Sequence, residues 1–148
     1  RYWALVWGDV KEDGTVTGHI GRSLKNRKMF VVYPDGDHGK HAVTHYKVLE
    51  RFGLVTLVEC KLETGRTHQI RVHMSSIGHP LIGDRTYAGS RRDGAAARQL
   101  ASQLLSFPRQ ALHAHLIGFR HPASGETLRF TSPIPADINR LINCLERV

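Results

Sequence analysis

The sequence predicts an α+β domain built on a mixed, mainly antiparallel sheet with a few flanking helices. The first half of the chain alternates short runs of β-branched and aromatic residues with clusters of Gly, Asp and Asn, which is the pattern of strands joined by hairpin turns. Helical periodicity is confined to short segments, without the strand–helix alternation that predicts a parallel sheet. The length, 148 residues, is that of one domain.

The first half is predicted to hold strands at residues 2–8, 16–20, 29–33, 42–49 and 54–63. We expect these strands to pair in order as a meander, because turn-forming residues separate them at 9–14, 34–39 and 52–53. The last strand alternates, and one of its two faces is predicted to line the core. One face carries Leu54, Thr56, Val58, Cys60 and Leu62, and the other carries Val55, Leu57, Glu59, Lys61 and Glu63.

A strand-turn-helix corner is predicted after the fifth strand. Thr64-Gly65 breaks the alternation, and Thr67 stands where a helix N-cap is expected. The helix is expected to stop at Gly78, a natural residue for the position just past a helix end. Its buried stripe is predicted from the i, i+4, i+7 spacing of Ile70, Met74 and Ile77.

The second half gives weaker patterns. A helix is predicted at residues 97–105, a hairpin of strands at 111–119 and 127–130, and a terminal helix at 135–145. The sequence shows no internal repeat and no second domain. We therefore treat the chain as a single unit.

Composition limits the classes of function. Lys and Arg total 21 against 13 Asp and Glu, a net charge of +8 that favours a polyanionic partner such as RNA. Cys60 and Cys144 form no Cys-x-x-Cys pair and are too few for a disulfide framework, which predicts a reducing, cytoplasmic location. No apolar run is long enough to span a membrane, so no membrane partner is expected.

The corner carries residues suited to binding anions. Arg66 and Arg71 each offer a planar fork for a phosphate or a carboxylate, beside a helix N-terminus whose dipole favours negative charge. Arg71 lies on the flank of the predicted buried stripe, and a half-buried arginine requires a partner, which we expect to be a carboxylate. An ordinary ion pair joining helix to sheet would satisfy the same requirement.

Metal and nucleotide sites are disfavoured. His68 and His73 are five residues apart and lack the spacing that places two imidazoles on one helix face. The sequence has no Gly-x-Ser-x-Gly elbow, phosphate loop or dinucleotide fingerprint. A second basic cluster at residues 22–28 is a candidate for tracking a phosphate backbone, although a solvated loop has the same composition.

Three motifs in the same order are similar to those of the RluA-type pseudouridine synthases. They are Thr64-Gly65-Arg66-Thr67-His68-Gln69-Ile70-Arg71-Val72-His73, Gly78-His79-Pro80-Leu81-Ile82-Gly83-Asp84 and Arg109-Gln110-Ala111-Leu112-His113-Ala114. The resemblance covers essentially the whole chain. It is strongest to the members that act on large-subunit ribosomal RNA, and it implies the C-terminal half of the family's catalytic fold.

The resemblance implies the isomerisation of uridine to pseudouridine without cofactor or metal, by an aspartate that attacks a flipped-out nucleotide. It maps two catalytic positions: Arg71 as the partner of that aspartate, and Tyr2 as the residue that packs on the base and is a candidate to abstract the C5 proton. The lysine of the family's Lys-x-Tyr strand is not present. RNA contacts are expected from Arg66, Thr67, His68, Gln69, Arg22, Lys25, Arg27 and Lys28.

The family's nucleophile lies in an upstream His-Arg-Leu-Asp stretch that this sequence lacks. Asp84 falls in a shared motif, but its Gly-Asp setting is typical of a turn residue that stabilises the corner. We therefore expect a C-terminal portion of a catalytic domain, inactive alone, with a monomer as the expected state. The alternatives are a noncatalytic RNA-binding module and a structural domain that mediates protein contacts.

Overall fold

A computed structural model describes residues 1–26, 28–33, 38–84, 86–87, 109–114, 116–120, 127–131 and 133–146. Strands and helices alternate irregularly along the chain. In order, they are β1 Tyr2–Trp7, β2 Gly14–Arg22, β3 Phe30–Tyr33, β4 Lys40–Arg51, β5 Val55–Leu62, α1 Gln69–Ser76, β6 Leu112–Ala114, β7 Leu116–Arg120, β8 Thr127–Thr131 and α2 Ala136–Glu146. The predicted α+β class is confirmed.

A six-stranded sheet in the order β3-β2-β4-β5-β1-β6 forms the centre of the fold, and its neighbouring strands are antiparallel. The predicted meander is wrong, because β1 pairs with β5 and β6 and not with β2. The reason is visible in its composition: consecutive residues Ala4, Leu5 and Val6 are at most 1% exposed. A strand that is apolar on both faces is most stable between two other strands, with both faces covered.

Helices α1 and α2 cover opposite faces of this sheet. Ile70 and Met74 of α1 pack with Ala4, Val6 and Val58. On the other face, α2 contributes Ile138, Leu141 and Ile142 to a second cluster around β1 and β5. Complete burial of an aliphatic side chain stabilises a fold by roughly 1.5–3 kcal/mol, so the two helices fix β1 and β5 as the rigid centre. The prediction that one face of β5 lines the core is therefore incomplete, because both faces are packed.

The second half joins this sheet through backbone hydrogen bonds around Ala111. Leu5 N–H donates to the Ala111 carbonyl, Ala111 N–H to the Ile82 carbonyl, and Ile82 N–H to the Leu5 carbonyl, at 3.0, 2.8 and 2.9 Å. The strand predicted at 111–119 is thereby divided: β6 joins β1, whereas β7 pairs with β8 in a separate two-stranded sheet. The helix predicted at 97–105 lies outside the described residues.

The C-terminal end of α1 follows the prediction at Gly78, which has φ +87°. Gly78 N–H donates to the Ser75 carbonyl, and His79 N–H to the Met74 carbonyl, at 3.0 and 2.8 Å. This pair of bonds defines a Schellman motif, which satisfies carbonyls left over at the helix end. Ile77, predicted in the buried stripe, is 37% exposed because it already belongs to this cap. Among the described residues, the structure has no helix long and apolar enough to cross a membrane.

Candidate functional site

The segment that joins β5 to α1 is held by a buried amide. Gln69 is 3% exposed. Its Oε1 accepts hydrogen bonds from Thr64 Oγ1 and from the Arg66 N–H, at 2.8 and 3.0 Å. Its Nε2 donates to the Val43 carbonyl and to Thr44 Oγ1, both at 2.9 Å. Gln69 therefore fastens the corner to β4, and the prediction that it contacts RNA is not supported, since its amide is buried and occupied by protein partners.

The N-cap of α1 is His68, not the predicted Thr67. His68 adopts the left-handed conformation, with φ 56° and ψ 23°, and makes no side-chain capping bond. Among the described residues it is the single non-glycine with positive φ. A left-handed backbone carries a modest steric cost that histidine tolerates better than most residues. The chain turns sharply here, so Thr67 is directed outwards as an exposed residue rather than capping the helix.

The His68 imidazole is held in place by Tyr87 and Phe30. Its Nδ1 lies 2.9 Å from the Tyr87 hydroxyl, which also accepts the Phe30 N–H at 3.0 Å. Either partner of this hydrogen bond can be the donor, because a tyrosine hydroxyl and a neutral imidazole each carry one proton and can also accept one. Burial, reinforced by the positive charge of Arg71, lowers the pKa of His68. The lowered pKa favours a neutral imidazole at the corner.

Arg71 and Asp84 form a buried bidentate ion pair. Arg71 Nε and Nη2 donate to the two Asp84 carboxylate oxygens at 2.8 and 3.1 Å. The Arg71 side chain is 14% exposed and that of Asp84 is fully buried. Asp84 Oδ1 also accepts the N–H groups of Thr86 and Tyr87, each at 3.2 Å. The predicted carboxylate partner of Arg71 is confirmed, but it lies inside this chain, and Asp84 also has its predicted role in the turn.

Tyr87 completes this arrangement. The Arg71 guanidinium carbon lies 5.0 Å from the centre of the Tyr87 ring, within the range of a cation–π contact. Ser75 Oγ donates to the Tyr87 carbonyl at 3.3 Å. Arg71 is therefore fixed on two sides, by the Asp84 carboxylate and by the Tyr87 ring. The two hydrogen bonds to Asp84 use Nε and Nη2 and do not involve Nη1.

A cleft of about 330 Å³ opens beside the corner. Arg66 lines it, and its Nε donates to the His41 carbonyl at 2.8 Å, which anchors the guanidinium to β4. Its walls combine two charged side chains, an exposed hydroxyl, an aromatic ring and glycine backbone. The lining residues are Ile20, Gly21, Phe30, Gly39, Lys40, Gly65, Arg66 and Thr67. Its size and charge suit a nucleotide or a phosphodiester group.

The predicted basic cluster forms the turn between β2 and β3, next to this cleft. Arg22, Lys25 and Lys28 are exposed. The guanidinium carbon of Arg22 lies 5.1 Å from the centre of the Phe30 ring, and Phe30 also lines the cleft. Arg27 falls outside the described residues. The structure therefore brings together predicted RNA contacts from two separate segments of the sequence.

Tyr2 lies on a different part of the sheet. It is half-buried in β1, opposite Cys60 of β5 and Ala114 of β6. Its side chain packs against the cluster that contains Ile70 and Met74. Tyr2 is therefore on the sheet face that α1 covers.

The residues of this site that were not predicted include Phe30, Lys40 and Tyr87. Lys40 lies in β4 and Phe30 in β3, and the packing of these strands places both side chains at the cleft. A single sequence gives no signal that these two residues lie close together. Tyr87 had one available signal, since it follows Asp84 by three residues in a turn-forming stretch. Among the described residues, no group of three His, Cys, Asp or Glu side chains is placed to hold a metal ion.

His73, the last residue of the corner motif, is a fully buried histidine. Its Nδ1 lies 2.8 Å from Thr44 Oγ1 of β4. Its Nε2 is buried without a hydrogen-bond partner among the described residues. Burial lowers the pKa of His73, and the nearby Gly18 carbonyl opposes that effect only in part. The folded protein therefore holds this imidazole neutral.

The chain is expected to lose stability as the pH falls below about 6.5, the ordinary pKa of histidine. Below that value His73 is protonated in the unfolded state but stays neutral in the folded state. The free energy of unfolding therefore falls by up to about 1.4 kcal/mol per pH unit. The decline ends at the lower pKa of the folded state. Urea unfolding at pH 7.5 and 5.5 measures it. His73→Gln should reduce the slope, and the lowered pKa of His68 contributes in the same direction. Equal slopes in the wild type and in His73→Gln would contradict the assignment to His73.

Comparison with known proteins supports one family. The model of a family described as RNA pseudouridylate synthase matches residues 1–76, slightly more than half of the chain. A Pseudomonas aeruginosa protein named ribosomal large subunit pseudouridine synthase D is 49% identical over 148 residues, which cover 99% of this chain and 45% of that protein. A Bacillus subtilis protein named uncharacterized RNA pseudouridine synthase YlyB is 48% identical and is covered over 44% of its length. The chain thus spans less than half the length of these relatives.

Solved structures agree with this assignment. Human RNA pseudouridylate synthase domain containing 1 superposes with a TM-score of 0.69 at 26% identity, over 99% of this chain and 65% of that one. Human RNA pseudouridylate synthase domain containing 4 has a TM-score of 0.76 at 24% identity, over 98% and 61%, and supports the fold alone. With the family model that matches residues 1–76, these findings show that the chain belongs to the RNA pseudouridylate synthase family.

Proposed function

We propose that this chain is the C-terminal portion of a catalytic domain that isomerises specific uridines in large-subunit (23S) ribosomal RNA to pseudouridine. The family and the printed names of its relatives support this substrate. The observation that carries the proposal is the rigid corner, which places Arg66 and a neutral His68 beside a basic cleft and half-buries Arg71. We place the protein in the cytoplasm as a monomer that requires no cofactor or metal.

RNA binds along the cleft and the adjoining turn in this proposal. Lys40 and Arg66 supply positive charge inside the cleft, and Thr67 supplies an exposed hydroxyl. Arg22, Lys25 and Lys28 extend the charge along the turn between β2 and β3. Backbone phosphates provide most of the affinity of such surfaces, and they position the strand without reading its sequence.

The catalytic roles belong to Arg71 and Tyr2. With Nε and Nη2 bound to Asp84, Arg71 has Nη1 left to contact a nucleophilic aspartate supplied by an upstream segment. Tyr2 is proposed to pack on the flipped base and to take the C5 proton. Asp84 is not proposed as the nucleophile, because its carboxylate is fully buried and bound to Arg71 and to the following turn.

Release of tritium from ribosomal RNA labelled at C5 of uridine tests this function. A longer protein that carries a His-Arg-Leu-Asp segment ahead of this chain is expected to release tritium, and the 148-residue chain alone is expected to release none. Both should bind RNA in a salt-dependent manner. Turnover by the 148-residue chain would refute the requirement for an upstream nucleophile.

The alternative is a noncatalytic RNA-binding module, and the Arg71–Asp84 pair is the observation that favours it, since it occupies the arginine within this chain. RNA binding without tritium release by the longer protein would support that alternative. Failure to bind RNA at all would instead indicate a structural domain.

A further inference from the structure

The turn between β2 and β3 carries a large apolar side chain in an unusual position. We call residues 23–29 the hairpin tip; residue 27 is outside the described part. Leu24 at this tip is 79% exposed, whereas the other exposed large hydrophobic residues of the described chain, Leu49 and Ile77, are each 37% exposed. Single exposed leucines are common on proteins, so its meaning depends on its surroundings.

The backbone of the hairpin tip is held by local hydrogen bonds. Ser23 Oγ accepts the N–H groups of Lys25 and Asn26, both at 3.2 Å. Asn26 Oδ1 accepts the Lys28 N–H at 3.1 Å, and Ser23 N–H donates to the Met29 carbonyl at 2.8 Å. The tip is thus a constrained turn that projects Leu24 outwards, and little backbone entropy remains to be lost when a partner binds.

The sequence on either side of Leu24 carries only positive charges. Residues 14–33, which span β2, the tip and β3, include Arg22, Lys25, Arg27 and Lys28 and no Asp or Glu. At the base of the tip, Gly21 and Phe30 line the cleft that also holds Lys40 and Arg66. The exposed leucine therefore belongs to a basic turn whose base borders a cleft that is itself lined by two cationic side chains.

We propose that Leu24 is a wedge that packs against the exposed face of an RNA base, or enters between two bases, while Lys25 and Lys28 bind the flanking phosphates. An apolar projection surrounded by cations complements a polyanion whose bases have apolar faces, and nucleic-acid-binding proteins insert leucine side chains between bases in this way. A protein partner would require a larger apolar patch than one leucine provides. The inference rests on the proposed RNA function and adds to it a contact to the bases.

A short stem-loop RNA with 2-aminopurine in its loop tests the wedge, because 2-aminopurine fluorescence changes when its stacking changes. The 148-residue chain is expected to bind it with a change in fluorescence. Leu24→Ala should weaken binding by about tenfold and remove most of that change, with an unaltered salt slope. Leu24→Met should retain both, and Leu49→Ala is the matched control for loss of an exposed leucine. Lys25→Gln should reduce the log–log salt slope by about 0.7 instead.

The possible outcomes test the Leu24 wedge separately from the proposed RNA function. If Leu24→Ala matches the wild type in affinity and fluorescence while Lys25→Gln weakens binding, the wedge is overturned and the RNA-binding surface stands. If the wild type shows no salt-dependent binding, both proposals are overturned. Leu24-dependent binding to phosphatidylglycerol vesicles without RNA binding would assign the tip to a lipid surface instead. Circular dichroism melts establish that each variant is folded.

Discussion

Replacing Asp84 with alanine is expected to reduce the free energy of unfolding by about 3–5 kcal/mol, a large share of the stability of a typical domain. The substitution leaves the Arg71 guanidinium, 14% exposed, without its buried carboxylate. It also removes the acceptor for two turn N–H groups, those of Thr86 and Tyr87. Urea unfolding followed by circular dichroism measures the loss.

A matched control exists in the same chain. Asp137 pairs with Arg109 through two hydrogen bonds of similar geometry, at 2.8 and 2.9 Å, but their side chains are 31% and 42% exposed. The arginine lowers the pKa of Asp137, yet water screens an exposed pair of this kind. Asp137→Ala should therefore cost only about 0–1 kcal/mol. Equal losses for Asp84→Ala and Asp137→Ala would show that burial does not make the Arg71–Asp84 pair special.

Removing both charges of the buried pair should be less harmful than the single changes suggest. Arg71→Met combined with Asp84→Leu replaces two charges by apolar groups of comparable size, and such replacements are often neutral or stabilising. The two turn N–H groups still lose their acceptor, so partial recovery relative to Asp84→Ala is expected. The double variant thus lacks the Arg71 guanidinium and should be more stable than Asp84→Ala.

The local features of this fold follow from the sequence. Strand positions, the corner after β5 and the glycine that ends α1 are set by alternation, by turn residues and by the left-handed conformation that Gly78 adopts. These features depend on neighbours in the chain, and one sequence contains that information. The burial of Arg71 can also be predicted from neighbours in the chain, because it follows from the angular position of Arg71 next to Ile70 on the helix.

The long-range features do not follow in the same way. The place of β1 between β5 and β6 depends on partners distant in sequence, the nearest pair being Trp7 and Val55. A continuous apolar run indicates burial on both faces but does not identify the neighbouring strands. Gln69 shows the same limit within the site. As a polar residue in a motif it resembles a binding residue, but the carbonyl of Val43 and the hydroxyl of Thr44 turn it inwards. Partners on β4 decide its role, and sequence spacing does not reveal them.

Arg71→Ala in the longer protein is expected to reduce turnover by at least about 100-fold, since a preorganised charged donor at a reacting centre contributes on that scale. The ordinary assay leaves an ambiguity, because the substitution also breaks the pair with Asp84 and destabilises the corner. Arg71→Lys does not resolve it, since a lysine cannot reproduce the bidentate geometry.

The double variant Arg71→Met with Asp84→Leu resolves that ambiguity. If Arg71 acts only as the structural partner of Asp84, replacing the whole buried pair should recover part of the stability and, with it, part of the tritium release from C5-labelled RNA. If the Arg71 Nη1 group orients an upstream aspartate, stability should recover to the same extent while turnover stays at the level of Arg71→Ala. We expect the second result, with RNA affinity unchanged, because the cleft lined by Lys40 and Arg66 does not include Arg71. Normal turnover by the folded double variant would reduce Arg71 to a structural role and favour the noncatalytic interpretation of this surface.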